Sequence, residues 1–319
     1  MVPERQELMR KRVLITGGGG YLGSKLAERI APSGAECFLL DRSHNATATG
    51  LDARFPNIHL VRADLTDPEG LRNACEGIFP DRVFHFAASI DRSRDFSNFD
   101  NISGINVKGT LNLLEALAGV DYQSFCFAGS SEVYGTLNPT PFHEDQLPLP
   151  VSPYSLTKLM AEELIRSWSA IRRKPFTIFR IFLFMGPDMP LTTFLAQLYD
   201  AFIKKEEFRM TRGEQKRDYL LLEELLYCID TLSCIPDAAG ETINLCSGTS
   251  FSMKEIADTV CEISGNALKV SHSLPYRENE IWEIRGSNDK LKRFLPGFEP
   301  RPFLKGIQSL FKPCQTIEN

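Results

Sequence analysis

Three clusters of residues in this chain carry groups suited to chemistry. The first is Tyr154-Ser155-Leu156-Thr157-Lys158, which reads as the opening of a helix. Spacing i, i+4 places Tyr154 and Lys158 on one helical face, a single turn apart. A phenol with an ordinary pKa near ~10 is no base at neutral pH, but a neighbouring ammonium stabilises the phenolate and makes it one. The second cluster, Ser130-Ser131-Glu132, follows a run, Ser124–Ala128, that reads as a strand. A serine hydroxyl at the C-terminal end of a strand lies where open α/β sheets bind ligands, and can bond both a substrate hydroxyl and the oxyanion formed from it. Glu132 has two readings: a proton exchanger at a substrate carbon, or a cap on the local turn.

The third cluster is Thr16-Gly17-Gly18-Gly19-Gly20-Tyr21-Leu22-Gly23, between a strand and a helix. Gly17, Gly20 and Gly23 stand at G-x-x-G-x-x-G spacing, with Tyr21 and Leu22 in the same turn. A side chain at the glycines would collide with a pyrophosphate lying against the backbone and the helix N-terminus. The next strand ends in Leu39-Leu40-Asp41, about 20 residues on, where a carboxylate bonds the adenosine ribose hydroxyls of a dinucleotide. Asp41 would repel a 2′-phosphate and so favours NAD over NADP, while the adjacent Arg42 and Ser43 keep NADP open. Asp64-Leu65, after the third strand, is placed to receive the adenine amino group; a helix cap ahead of Asp67-Pro68 is the other reading of Asp64.

The elements that must position these groups alternate. Strands are expected at Val13–Thr16, Cys37–Asp41, His59–Ala63, Val83–Phe86, Ser124–Ala128 and Thr177–Ile181, and helices at Leu22–Ile30, Gly70–Cys75, Val107–Leu117 and Ser155–Ile171. Successive βαβ units imply an α/β, doubly wound (Rossmann) parallel sheet. Beyond Arg180 the pattern shortens and prolines interrupt it. This places a dinucleotide-binding domain over residues 1–181, to which 217–246 returns, and a smaller α/β substrate domain over 182–319.

Composition removes several classes of function. A formal net charge of -5 over 319 residues offers no broad basic surface, so no nucleic-acid partner is expected. No apolar run reaches the roughly 18 to 20 residues that cross a bilayer, and Met1–Arg12 is polar, so no membrane association and a cytoplasmic location are expected. The eight cysteines include no C-x-x-C pair and read as reduced packing residues. The five histidines make no ligand pattern, so no metal is expected.

With these residues in view, the chain resembles the extended short-chain dehydrogenase/reductases of the epimerase/dehydratase kind over nearly its whole length. The resemblance rests on Thr16–Gly23, Asp41, Asp64, His85-Phe86-Ala87-Ala88, Asn106–Thr110, Ser130–Gly135, Tyr154 with Lys158, Arg180–Pro187, Gly213–Tyr219 and Asn244–Gly248, in that order. It implies a catalytic triad of Ser130, Tyr154 and Lys158, with Ala87 and Ala88 beside the cofactor and Asn106 supporting the active-site helix. Tyr154 and Lys158 would also touch the cofactor. Ser131 would meet a nucleotide-diphosphate sugar whose phosphates Arg217 and Arg277 grip, guanidinium being suited to pairing two phosphate oxygens at once. It further implies a homodimer built through 106–118 and 154–171. The chain departs from the family pattern at Leu183 and Met185, where an Asn that touches the diphosphate and a Tyr are usual.

The function this implies is a redox-neutral NAD-dependent epimerase or dehydratase working through a transient 4-keto sugar. Glu132 tilts the reading toward dehydratases and decarboxylases. An NAD(P)H-dependent 4-keto-6-deoxy sugar reductase is the alternative, suggested by Ser130-Ser131-Glu132 and Gly286-Ser287-Asn288 and opposed by Asp41. A dinucleotide-binding protein without catalysis is a third, opposed by the intact Ser130, Tyr154 and Lys158.

Overall fold

The structure is a computed structural model that describes residues 11–91, 93–265, 267–276 and 280–311. Arg277, Cys314 and residues 1–10 therefore lie outside the described residues. The chain divides into two compact units: Met1–Gly129, Val151–Phe179 and Ile229–Glu241 form one, and Ser130–Pro150, Arg180–Cys228 and Thr242–Asn319 the other.

The strands of the first part of the chain are β1 (Arg12–Thr16), β2 (Glu36–Asp41), β3 (Ile58–Arg62), β4 (Arg82–His85), β5 (Ser124–Ser130) and β6 (Thr177–Ile181). Between them run α1 (Tyr21–Ile30), α2 (Ala46–Arg54), α3 (Pro68–Cys75), α4 (Phe99–Ser103), α5 (Gly109–Ala116) and α6 (Pro153–Arg172). Later come β7 (Leu183–Met185), α7 (Phe194–Lys204), β8 (Phe208–Arg209), β9 (Lys216–Leu221), α8 (Leu222–Leu232), β10 (Thr242–Leu245) and β11 (Ser250–Ser252). The chain closes with α9 (Met253–Ile263), β12 (Val270–Ser271), β13 (Glu283–Ile284), α10 (Asp289–Phe294) and α11 (Phe303–Leu310).

Seven strands form one sheet in the order β10-β6-β5-β4-β1-β2-β3. β1 pairs in parallel with both β2 and β4, so successive strands run to one side of β1 and the chain then returns to its other side. The ends of β1 and β4 are thus the switch point at which open α/β sheets bind ligands. Every residue of β5 is buried, as a strand covered on both faces requires. Leu14, Val83, Phe125, Leu113, Ile165 and Trp168 belong to one core that clamps α5 and α6 to the strands.

Helix α6 carries Tyr154 and Lys158, and its start is over-determined. Ser152 and Ser155 exchange side chain to backbone bonds in a capping box, and Pro153 occupies the first helical position, where its missing N–H costs nothing. The expected helix at Val107–Leu117 instead begins as a π turn, Gly104–Lys108, before α5. Helix α2 was not expected from the sequence. Only Ala48 and Leu51 of it are buried, leaving almost no apolar period to read, and it starts at Asn45, whose Oδ1 accepts the Ala48 N–H.

The second unit differs from the expected boundary at Ile181. It takes in 130–150, and the returning segment shrinks to Ile229–Glu241. The cause is a buried polar cluster: the Tyr134 hydroxyl donates to Asn244 Oδ1 at 2.6 Å, and the Asn244 N–H donates to Glu144 at 2.8 Å. Small sheets β11-β9-β13, with β7 on β9, and β12-β8 complete the unit. Their core includes Met185, Leu198, Leu221, Ile256 and Ile307. Asp218 is its polar anchor: fully buried, its carboxylate accepts from the Ser247 hydroxyl at 2.7 Å and from the N–H groups of Ser247, Gly248 and Gly286. Burial pushes this carboxyl up to about 6 against the pull of those donors. The described cysteines are all free; Cys261, half-buried, packs against the core of the second unit as expected, while Cys234 is exposed. Among the described residues no helix is long and apolar enough to cross a membrane.

Candidate active site

The glycine turn between β1 and α1 has little room for side chains, for reasons internal to the protein. Gly17 has φ +71°, which L residues avoid, and a Cβ on it would stand 2.7 Å from the Ala87 nitrogen at the end of β4. A Cβ on Gly23 would meet the Gly17 carbonyl at 2.3 Å, so α1 lies directly on the turn. Gly18 and Gly19, which the motif spacing does not single out, are as constrained: a Cβ on Gly18 would meet Leu39 at 2.7 Å, and one on Gly19 the Ser43 carbonyl oxygen at 2.0 Å. Only Gly20 has no clash below 3 Å, and it starts α1 without a side-chain cap. The N–H groups of that first turn, with no acidic side chain among them, suit a pyrophosphate.

Asp41 ends β2 as expected, and its carboxylate is tied to this turn. Oδ2 accepts the Gly19 N–H at 3.1 Å and Oδ1 the Ser43 N–H at 3.3 Å. The cradle and the carboxylate together fit a dinucleotide. Arg42 beside it is exposed, and so is Asp64. Asp64 does not cap a helix: its Oδ1 accepts both the N–H and the hydroxyl of Thr66, which hold the carboxyl below its usual range. The cap of α3 is Asp67, which accepts the Gly70 N–H at 3.0 Å. Leu65 is buried in the core, and its carbonyl accepts from Asn112.

A buried chain of hydrogen bonds joins the glycine turn to α6. The Thr110 hydroxyl donates to the Asn106 carbonyl at 2.6 Å, so its oxygen is left to accept from His85 Nε2 at 2.9 Å. His85 Nδ1 is then the acceptor for the Thr16 hydroxyl at 2.7 Å. Burial, with the Lys158 charge adding to it, pushes this imidazole down to about 3 and keeps it neutral. Asn106 completes the chain. Its Oδ1 accepts the Ser89 N–H at 2.7 Å, and its Nδ2 donates to Thr157 Oγ1 at 3.0 Å, between Tyr154 and Lys158. Ala87 and Ala88 lie half-buried within this loop.

On α6, Tyr154 is buried and Lys158 is only 3 % exposed. The Lys158 ammonium donates to the Ala128 carbonyl at 2.7 Å and lies 4.8 Å from the Phe127 ring centroid and 6.0 Å from that of Tyr154. Burial pulls its pKa down to about 8, and the Glu162 carboxylate opposes the fall.

The remaining expected residues belong to the second unit. Ser130 and Ser131 are buried, and Ser130 Oγ accepts the Glu132 N–H at 3.2 Å. The cap of this short turn is therefore Ser130, not Glu132. The Arg217 guanidinium pairs with Glu280 at 3.0 Å and donates to the carbonyls of Lys216 and Ile281, while burial lowers its pKa. Leu183 is half-buried, and Met185 is buried in the core of this unit.

The parallel sheet with its switch point, the glycine cradle and the buried Tyr154–Lys158 face define a dinucleotide-dependent α/β enzyme. The chain belongs to the NAD dependent epimerase/dehydratase family, which matches residues 13–246. It is 25% identical over 321 residues to the UDP-glucose 4-epimerase of Rhizobium meliloti, covering 94% of this chain and 95% of that protein. It is 27% identical over 312 residues to the GDP-6-deoxy-D-mannose reductase of Pseudomonas aeruginosa, covering 93% and 94%. The solved structure of the epimerase Mth375 from Methanothermobacter thermautotrophicus matches with a TM-score of 0.85 at 28% identity, over 95% of this chain and 91% of that one.

Two predictions follow from this geometry. Asp41→Asn keeps an acceptor for the Gly19 N–H but removes the charge; calorimetry should show NAD affinity falling about tenfold, the ~1.4 kcal/mol scale of a charge-assisted bond, with NADP affinity unchanged or raised. Tighter binding of NADP than NAD by the unmodified protein would refute the role of Asp41. The second concerns acid stability. Because the folded pKa of His85, about 3, lies below its ordinary 6.5, its contribution is present above pH ~6.5 and is lost as pH falls toward 3. His85→Gln should flatten that part of the melting-temperature profile, and an unaltered acid slope would show that His85 is not the titrating group.

Proposed function

We propose that this chain is a redox-neutral enzyme that epimerises or dehydrates a nucleotide-diphosphate sugar through a transient 4-keto sugar, with NAD held at the glycine turn and Asp41. NAD when bound supplies the acceptor for the hydride and returns it within one cycle. The observation that carries this reading is the Lys158 ammonium, buried, anchored on the Ala128 carbonyl and one helical turn from Tyr154.

In this reading the Tyr154 hydroxyl oxygen takes the proton of the sugar hydroxyl as that carbon becomes a ketone. Lys158 stabilises the phenolate that makes this transfer possible at neutral pH. Ser130 is assigned the hydrogen bond to the same sugar oxygen; with its Oγ accepting from the Glu132 N–H, its own proton is left to be donated. Glu132 moves a proton at the carbon next to the ketone if the enzyme is a dehydratase. Arg217 is assigned the substrate diphosphate, for which it must exchange its Glu280 partner. Gly20, Tyr21, Leu22, Asp64, Leu65, Ala87, Ala88 and Asn106 complete the cofactor side, and Ser131 the substrate side.

The second reading, a reductase consuming NAD(P)H on a 4-keto sugar, is favoured by Ser130-Ser131-Glu132 and by the similarity to a GDP-sugar reductase. We also propose a cytoplasmic homodimer. The exposed Met160 and Ile171 on α6 supply apolar surface for a seam there.

Tyr154→Phe should lower turnover by about two to four orders of magnitude, the scale of general acid–base catalysis, with NAD affinity nearly unchanged. Wild-type turnover in that variant would remove Tyr154 from the chemistry. Glu132→Gln should abolish dehydration and spare a 4-epimerase or reductase, as read from product release with candidate nucleotide sugars; NADPH consumed one-for-one with product would establish the reductase. Sedimentation at micromolar concentration should give a dimer, and a monomer there would overturn the proposed seam.

A further inference from the structure

Tyr154 and Lys158 do not exhaust the inward face of α6. Position i+8 of the same stripe is Glu162, an acidic side chain with 0% exposure, a burial that carboxylates rarely have without partners. The space for it comes from β5. A Cβ on Gly129 would stand 2.9 Å from Glu162 Oε1 and 3.1 Å from the Phe179 carbonyl oxygen, so any larger residue at 129 would displace the carboxylate. Gly129 directly follows Ala128, whose carbonyl receives the Lys158 ammonium. The end of one strand therefore meets both charges of the helix face, the cation on the Ala128 oxygen and the anion in the gap at Gly129. On its outer side Glu162 is approached by Arg166, at 3.7 Å.

We propose that Glu162 is a positioning residue of the active site: its carboxylate, seated in the gap that Gly129 leaves, holds the Lys158 ammonium charged and fixed on the Ala128 carbonyl. Side chains four apart on a helix stand about 5 to 6 Å apart at Cβ, near enough for direct coupling in a dry environment. The groups facing Lys158 are Tyr154 and Glu162 from its own helix and the neutral His85 imidazole from β4, while β5 contributes the Phe127 ring and the Ala128 carbonyl. Of these, Glu162 is the one that brings an opposing charge and raises the pKa against burial, while the Ala128 carbonyl accepts from the ammonium. The sign is fixed. Lys158 is charged below its pKa of about 8, so loss of the Glu162 charge lowers that pKa and discharges the lysine at a lower pH.

The proposal rests on the catalytic reading only through the part Lys158 plays in it, and the charge of Lys158 can be followed without turnover. In full-length protein with lysines labelled at the ε carbon, the Lys158 resonance, assigned by its loss in Lys158→Met, should titrate about one pH unit lower in Glu162→Gln than in the unmodified protein. The alkaline limb of the rate profile should move down with it, and Glu162→Asp should restore part of both shifts. Arg166→Gln removes a competing cation at the half-exposed surface and should move the Lys158 titration upward; this variant carries the test if Glu162→Gln does not fold. Unchanged titration in folded Glu162→Gln, or a titration in Arg166→Gln that stays put or falls, would overturn the proposal. A Lys158 titration that shifts while the rate profile does not would leave Glu162 as proposed and instead refute Lys158 as the group behind the alkaline limb.

Discussion

An ammonium buried to 3 % exposure is the constraint on which the site depends. Removing a lysine from water is costly unless the charge is met by fixed partners, and here those partners come from two elements, β5 and α6 itself. The Ala128 carbonyl at the end of β5 accepts from it, the Phe127 ring lies beside it, and Glu162 shares its helix face. The capping box at Ser152 and Ser155 fixes where α6 begins, and so the rotation of the face that Tyr154, Lys158 and Glu162 share. Asn106 holds the same helix to the loop after β4 through Thr157. The neutrality of His85 belongs to the same balance, because a second cation beside Lys158 would be unfavourable.

The parts legible in the sequence are those set by local spacing. The glycine turn after β1, the acid at the end of β2 and the Tyr154–Lys158 pair all stand where period and motif place them, because each needs only a strand end or one helical turn to be positioned. The parts that were not legible depend on chain brought from far away. Gly18 and Gly19 are constrained by Leu39 and Ser43, which belong to the next strand and its exit. His85 gains its meaning from Thr16 and Thr110, one on either side of it in sequence and both distant. Glu162 was not singled out from the sequence, and its place becomes clear only once Gly129 is seen to make room for it. The assignment of 130–150 to the second unit follows from Tyr134 meeting Asn244, a contact 110 residues apart in sequence. Asp64, whose partner is Thr66, and Arg217, paired with Glu280, show the opposite case: residue types suited to a ligand whose polar atoms the protein itself engages.

The family is that of NAD-dependent epimerases and dehydratases, and the two readings of this chain differ in the direction of the first hydride transfer: to the oxidised cofactor in one, from the reduced cofactor in the other. An epimerase or dehydratase returns the hydride to the sugar it came from, whereas a reductase spends a reduced cofactor. The buried Tyr154–Lys158 face serves either outcome. In the proposed reading the Asp41 carboxylate, tied to the glycine turn through the Gly19 N–H, favours NAD, the form suited to a cycle that regenerates its own cofactor.

The most direct measurement of that cycle follows the hydride itself. The purified protein with NAD is incubated with UDP-glucose and, separately, with GDP-mannose, each deuterated at C4, and product and nucleotide are recovered for mass spectrometry. The redox-neutral account predicts product that retains the deuterium on the sugar while the nicotinamide leaves the reaction oxidised and unlabelled. Deuterium accumulating in released NADH in step with product, or product formed only when NADPH is supplied and consumed, would contradict it.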